Sequence, residues 1–215
     1  MHTDADILTL CQWLSPSYPV GAFAYSHGLA AAIEEGTVTG PQDTEAWISD
    51  VLQHGSGLND ALFAVAAYNA QDIDELVGID ATSRAFCASS ERLKETQLLG
   101  QAFATVTGDT WELDLKQFTY PVSVGHAARL KNLPVLLMTK MFLQAFASNL
   151  VACATRLVPL GQTDAQRLIR NLTPLCAHIA DGAQQGGLDD VSSTAFLADV
   201  ASMKHETQYS RIFRT

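Results

Sequence analysis

Six histidines, four cysteines and the adjacent carboxylates Glu34-Glu35 and Asp189-Asp190 are among the side chains of this sequence that could do chemistry. His205-Glu206-Thr207-Gln208-Tyr209 starts like a helical zinc-hydrolase motif, but its fifth position is Tyr. A zinc site of that type needs its second His one turn on, so the motif is rejected. His178 and Asp181 share a helix face, with Cys176 nearby, the best local candidate for soft-metal contact. A structural hydrogen bond is the competing reading of those residues. Glu34-Glu35 and Asp189-Asp190 are neighbours in sequence. Neighbouring helical positions diverge, so neither pair converges on one substrate atom. No GxxxxGK[ST] loop, GxGxxG turn or GxSxG elbow occurs. Cys11, Cys87, Cys153 and Cys176 form no CxxC pair and read as buried, reduced thiols. With no nucleophile beside a base, the residues point to binding, not catalysis.

The C-terminal stretch is the richest. Tyr209, Ile212 and Phe213 fall at i, i+3 and i+4, one face of a helix, and Arg211 and Arg214 lie three apart on another flank. Chain ends carry little apolar area unless tied down, and Tyr and Arg often anchor interfaces. The tail either docks on its own domain or orders when a partner binds. The second reading is favoured here.

The elements that must position these residues read as helices. Ala and Leu number 56 against 21 for Val and Ile, and the apolar period is helical throughout. Asp4 or Asp6 caps a first helix reaching Leu14, and residues 22–35 form a second. A third starts at Asp43 or Thr44, after Pro41. Asn59 caps a fourth, and residues 72–77 make a short turn. One long helix is expected over residues 82–105, with Phe86, Leu93, Leu98 and Phe103 as candidate core. Pro121 and Gly125 bracket a boundary, and Pro134 opens a long helix to about Leu157. Thr163 with Gln166 forms a capping-box pattern, and Pro174 kinks the helix it opens. A last helix starts at Ser192 or Ser193 and runs towards the tail. The expected fold is all-α, a single-domain bundle of about nine or ten helices. Residues 1–202 form the body and residues 203–215 a partner-binding tail.

Composition narrows the class further. Apolar residues make up 47% of the 215 residues and charged ones only 17%, which argues against a disordered chain. The net charge of -10 makes it a poor binder of nucleic acid or anionic membrane. The charge is uneven: no Lys or Arg precedes Arg84. Either this asymmetry orients a partner or the halves neutralise each other within one fold; the second is the simpler reading. The N-terminus lacks the basic start of a signal peptide. The apolar segment 133–154 is broken by Pro134, Lys140, Gln144 and Asn149, and so reads as a core helix, not a membrane span. The expected location is cytoplasmic.

Five blocks carry a resemblance. LSPSYPVGAFAYSHGL (residues 14–29) resembles the N-terminal motif of the urease accessory protein family UreF. RLKETQLLGQ (92–101), YPVSVGH (120–126) and RLVPLGQTDAQRLI (156–169) are similar to its later blocks, and MKHETQYSRIFR (203–214) to its C-terminal one. The blocks keep the family's order along most of the chain.

The resemblance implies an all-helical chaperone, not an enzyme. By it, the chain bridges UreD (also called UreH) and the GTPase UreG in a complex that inserts nickel into urease apoprotein. It also implies regulation of GTP hydrolysis by UreG, and a homodimer. The chain itself needs no cofactor, because nickel is handled by the assembled complex and GTP is bound by UreG. It carries over Tyr25 and His27 from the first block as partner-binding. From the last block it carries over His205, Glu206, Gln208, Tyr209, Ser210, Arg211, Phe213 and Arg214. Two other readings compete: a strict GTPase-activating protein, with Arg211, Arg214 or Gln208 supplied in trans, and a direct nickel carrier using His and Cys.

Overall fold

The computed structural model describes residues 2–209 and 211–214. Among them are ten α-helices and no strand, an all-α single-domain bundle. They are α1 (Asp4–Trp13), α2 (Leu29–Glu34), α3 (Pro41–His54), α4 (Ser56–Asn69), α5 (Ile73–Ala85), α6 (Ser90–Trp111), α7 (Tyr120–Leu130), α8 (Val135–Ala154), α9 (Gln162–Ala183) and α10 (Phe196–His205). Two 3-10 turns, Ala22–Ala24 and Leu188–Asp190, complete the order.

Local chemistry sets several starts. Thr3 and Asp6 form a reciprocal capping box on α1. Asp72 caps α5 by accepting from the Glu75 amide at 2.9 Å, and Ser89 caps α6 through the Arg92 amide at 3.1 Å. Pro41 and Pro121 stand in first turns, where a missing amide costs nothing.

The helices meet most closely where side chains vanish. A Cβ on Gly125 of α7 would lie 2.1 Å from the Ala64 carbonyl oxygen of α4. One on Gly100 of α6 would lie 2.0 Å from the Phe118 oxygen, just before α7. Around this contact sit two apolar clusters. The larger joins α3, α4, α8 and α9 through Ile48, Phe63, Leu143, Leu150 and Leu172. The other gathers Trp13, Tyr18, Phe103, Val124 and Phe142. The accessible surface is 10185 Å², close to the roughly 9,700 Å² that mass scaling gives for one compact domain.

Several expectations need correction. The helix over 82–105 is two: α5 ends at Ala85, and Ser89 caps a new helix at Ser90. The short turn 72–77 is the start of the full helix α5. Phe86 and Leu98 are exposed, Leu93 is half-buried and only Phe103 is core. The buried face of α6 carries Arg92, Glu95 and Thr96 instead, so an apolar count misplaces it. Residues 22–35 are a 3-10 turn and the short α2, separated by His27 and Gly28 in left-handed conformation. Phe23, in the 3-10 turn, is exposed. Asn59 lies inside α4 and holds the Ser192 backbone, its amide donating at 2.7 Å and accepting at 3.2 Å. Thr163 caps nothing; α9 starts at Gln162 after Gly161 and runs through Pro174 as one element. The last helix begins at Phe196. Cys11 is exposed and Cys87 half-buried, while burial pushes the thiols of Cys153 and Cys176 up to about 12 and about 11. Despite its polar residues, α8 is long and apolar enough to cross a bilayer by length and composition. Here one face of it is core and the other lines a groove.

Candidate interaction site

The C-terminal block folds back on the body. Helix α10 lies over the start of α2, where Gly28 leaves room: a Cβ there would sit 2.8 Å from the Ser202 amide nitrogen. At its end α10 meets the N-terminus of α6. The Glu206 carboxylate accepts from the Ser90 amide and hydroxyl, both at 2.7 Å. These bonds, the hydroxyl first, hold its pKa below the usual carboxylate value, and the α6 dipole favours the same charge. The Ser89 and Ser202 hydroxyls pair at 2.7 Å beside it. Glu91 takes two partners, His205 Nδ1 at 2.7 Å and the Arg211 guanidinium at 2.5 Å. Lys204 pairs with Glu35 at 2.7 Å, and Gln208 donates to Glu34. Phe213 is buried against the larger core under Arg156, whose guanidinium carbon is 5.7 Å from the ring centroid. The Arg214 amide donates to the Ala24 carbonyl at 2.7 Å.

A groove of about 560 Å³ opens on another side, between the 14–23 segment and α8. Its walls are apolar, with Leu14, Tyr18, Phe23, Phe142 and Phe146. Its floor is charged. Arg92 donates to Asp60 at 2.6 Å and lies 3.5 Å from Glu95. His27 Nε2 sits 2.9 Å from Glu95, and its Nδ1 is 3.3 Å from the Ser56 hydroxyl. Burial opposes the Arg92 charge, yet the Asp60 and Glu95 carboxylates outweigh it and hold the guanidinium pKa above its usual value. Two buried polar atoms on the groove wall, Trp13 Nε1 and Gln144 Oε1, have no partner among the described residues.

Those placements sort the expected site residues. Tyr25, His27, His205 and Phe213 are buried, so they position other groups and offer no free surface. Glu206 and Gln208 are half-buried in the clasp, and Arg211 is exposed but paired to Glu91. Tyr209, Ile212 and Arg214 face solvent. Ser210 lies outside the described residues. The single helical face of Tyr209, Ile212 and Phe213 does not form, because α10 ends at His205 and Phe213 turns inward while the other two turn out. The body–tail boundary at 202 falls inside α10. Lys140 takes Asp181 at 2.8 Å while Cys176 is buried, so His178, Asp181 and Cys176 do not converge. Among the described residues no group of three or more His, Cys, Asp or Glu is placed to hold a metal ion.

The outer face of α10 went unread in the sequence. Phe196, Leu197, Val200 and Met203 all project into solvent. Their spacing, with Ala201 and Ser202 turned inward, was the available signal. They make an uncovered apolar strip along α10, and Tyr209 and Ile212 on the tail that follows are exposed as well.

Comparison with known proteins adds the family. The UreF family model matches residues 38–173. A "Urease accessory protein UreF" of Ruegeria pomeroyi is 57% identical over 213 residues, covering 99% of this chain and 98% of its own. One of Roseobacter denitrificans is 46% identical over all of this chain and 96% of its own. One of Rhodopseudomonas palustris is 39% identical, covering 98% of this chain and 92% of its own. The chain belongs to the UreF family. Its blocks now have places in a UreF fold: residues 14–29 wall the groove, 92–101 supply its charged floor, and 203–214 form the clasp.

Proposed function

We propose that this UreF-family chain is a urease-maturation chaperone that works without catalysis of its own. It bridges UreD (UreH) and the GTPase UreG, and it regulates GTP hydrolysis by UreG while nickel is placed in urease apoprotein. The nickel is handled by the complex, the GTP by UreG, and the setting is the cytoplasm. The observation that carries this reading is the uncovered strip of α10, with Tyr209 and Ile212 exposed on the tail that follows. Exposed apolar strips of this kind mark protein contacts, and Tyr209 beside Arg211 and Arg214 gives it the residues that anchor interfaces. The strip is assigned to UreD. A homodimer uses the outer face of α8 and the apolar walls of the groove.

The test is size exclusion of the chain mixed with UreD and UreG, with and without GTP. A co-eluting complex is expected, and it is lost when residues 207–215 are deleted. Circular dichroism of the deletion must still report a helical body. Retained co-elution of the deletion with UreD would count against the assignment. GTP turnover by UreG separates regulation from strict activation in trans. In the latter, Arg211→Ala abolishes stimulation while binding persists, and Arg211 must first leave Glu91.

A further inference from the structure

The tail and the groove share one piece of backbone. Residues 22–27 run between left-handed positions at Gly21 (φ 83°) and at His27 and Gly28 (φ 52° and 77°). On one side this strap belongs to the groove. Ala22 and Phe23 line it, and Asn149 on α8 donates to the Ala22 and Tyr25 carbonyls at 2.9 and 3.3 Å. On the other side the strap is the tail's seat, since the Ala24 carbonyl takes the Arg214 amide at 2.7 Å. Arg156 spans both: it lines the groove and covers the Phe213 ring.

We propose that the strap couples the two surfaces, so that lifting the tail reshapes the groove wall, and filling the groove changes how firmly the tail is held. Without its tail contacts the strap loses the Ala24 acceptor's partner, and Arg156 loses the ring it stacks on. Still holding the strap are the Asn149 clamp, the Cys153 thiol on the Tyr25 carbonyl at 3.3 Å, and His27 between Glu95, Ser56 and the Phe146 ring, with Tyr25 and Ser26 buried. The backbone is turned at Gly21 and again at His27 and Gly28, so the less buried 22–24 part of the strap shifts against its buried 25–27 part. The coupling is reciprocal by linkage. Its biological use rests on the reading above that a partner takes the tail: one partner's arrival would then set the affinity of the surface on the far side of the strap.

The experiment uses the full chain alone, so its failure is separable from a failure of any partner to bind. Hydrogen exchange is followed by mass spectrometry in peptides covering residues 22–27 and 211–214. Phe213→Ala, from the tail side, is expected to speed exchange of the strap by about fivefold or more, the lower end of usual coupling. Thiol labelling of Phe23→Cys in the groove accelerates in the same variant. Asn149→Ala, from the groove side, is expected to speed exchange of the 211–214 peptide by a similar factor. Arg156→Gln, at an exposed side chain, repeats the first arm should Phe213→Ala fold poorly. Both directions moving together sustains the proposal. Movement in one direction only, or changes confined to the tail, overturns it.

Discussion

Arg92 is held by two carboxylates on the buried floor of the groove, and such a group is more costly to orphan than to keep. Arg92→Ala leaves Asp60 and Glu95 facing each other without their cation. The variant is expected to lose about 3–5 kcal/mol of stability, read by urea denaturation. A loss under about 1 kcal/mol would mean that the floor of the groove is wetter than its geometry implies. Glu206 makes the opposite kind of case, a half-buried carboxylate at the surface whose pKa is lowered by the Ser90 hydroxyl and amide. Its folded pKa lies below its unfolded one. The stability it adds is therefore present above the ordinary glutamate pKa and fades as pH falls through the lowered value. Exchange protection of the Ser90 amide should hold at neutral pH and drop as the solution is acidified below about pH 4. Glu206→Gln should remove that acid dependence; a drop of the same size in the variant would put the titration elsewhere.

At the scale of elements, glycines of one sequence type do opposite jobs. Gly125 and Gly100 let α4, α6 and α7 approach to backbone distance. Gly125→Ala must push α7 off α4 and should cost about 1–3 kcal/mol, seen as a lower Tm. Gly78 sits in α5 with open space around its Cβ position. Gly78→Ala should raise stability by about 0.5–1 kcal/mol, since alanine is the better helix former and nothing blocks it. Nothing in the one-letter code separates these glycines; only the neighbour across the gap does. The same limit explains what was legible. Helix class followed from Ala and Leu content, and α3 and α8 from their apolar runs and prolines. The break between α5 and α6 was hidden, because residues 86–89 hold no Gly or Pro and the stop is made by the Ser89 cap. The split of residues 22–35 was hidden too. His27 takes a left-handed conformation in a stretch of helix-forming residues, and its ring is held between Glu95 and Ser56. Those partners are distant in sequence, so local propensity could not show them. The tail's importance was readable from its aromatics and arginines, but its inward turn at Phe213 depends on a seat that includes Arg156, just past α8, and the strap.

Over the whole molecule part of the uneven charge is paired within the fold. Lys204 returns to Glu35, Arg92 to Asp60 and Arg84 to Asp80, each joining the basic part of the chain to the acidic first 83 residues. Beside its net negative charge, the molecule shows a partner apolar surface. On α10 that surface is a strip whose side chains stay largely uncovered by the fold, Phe196 and Leu197 most of all. Leu197, at 72% exposed, is the place to separate folding from function. Leu197→Asp should change stability by less than about 0.5 kcal/mol, as expected for a surface site away from caps and clasps. The same variant should weaken capture by UreD at least about tenfold, because a carboxylate buried in an apolar interface is left without a partner. Urea denaturation of the variant alone and titration against UreD give the two readings. Unchanged stability with unchanged binding would move the docking surface away from α10 altogether, to the groove on the other side of the strap.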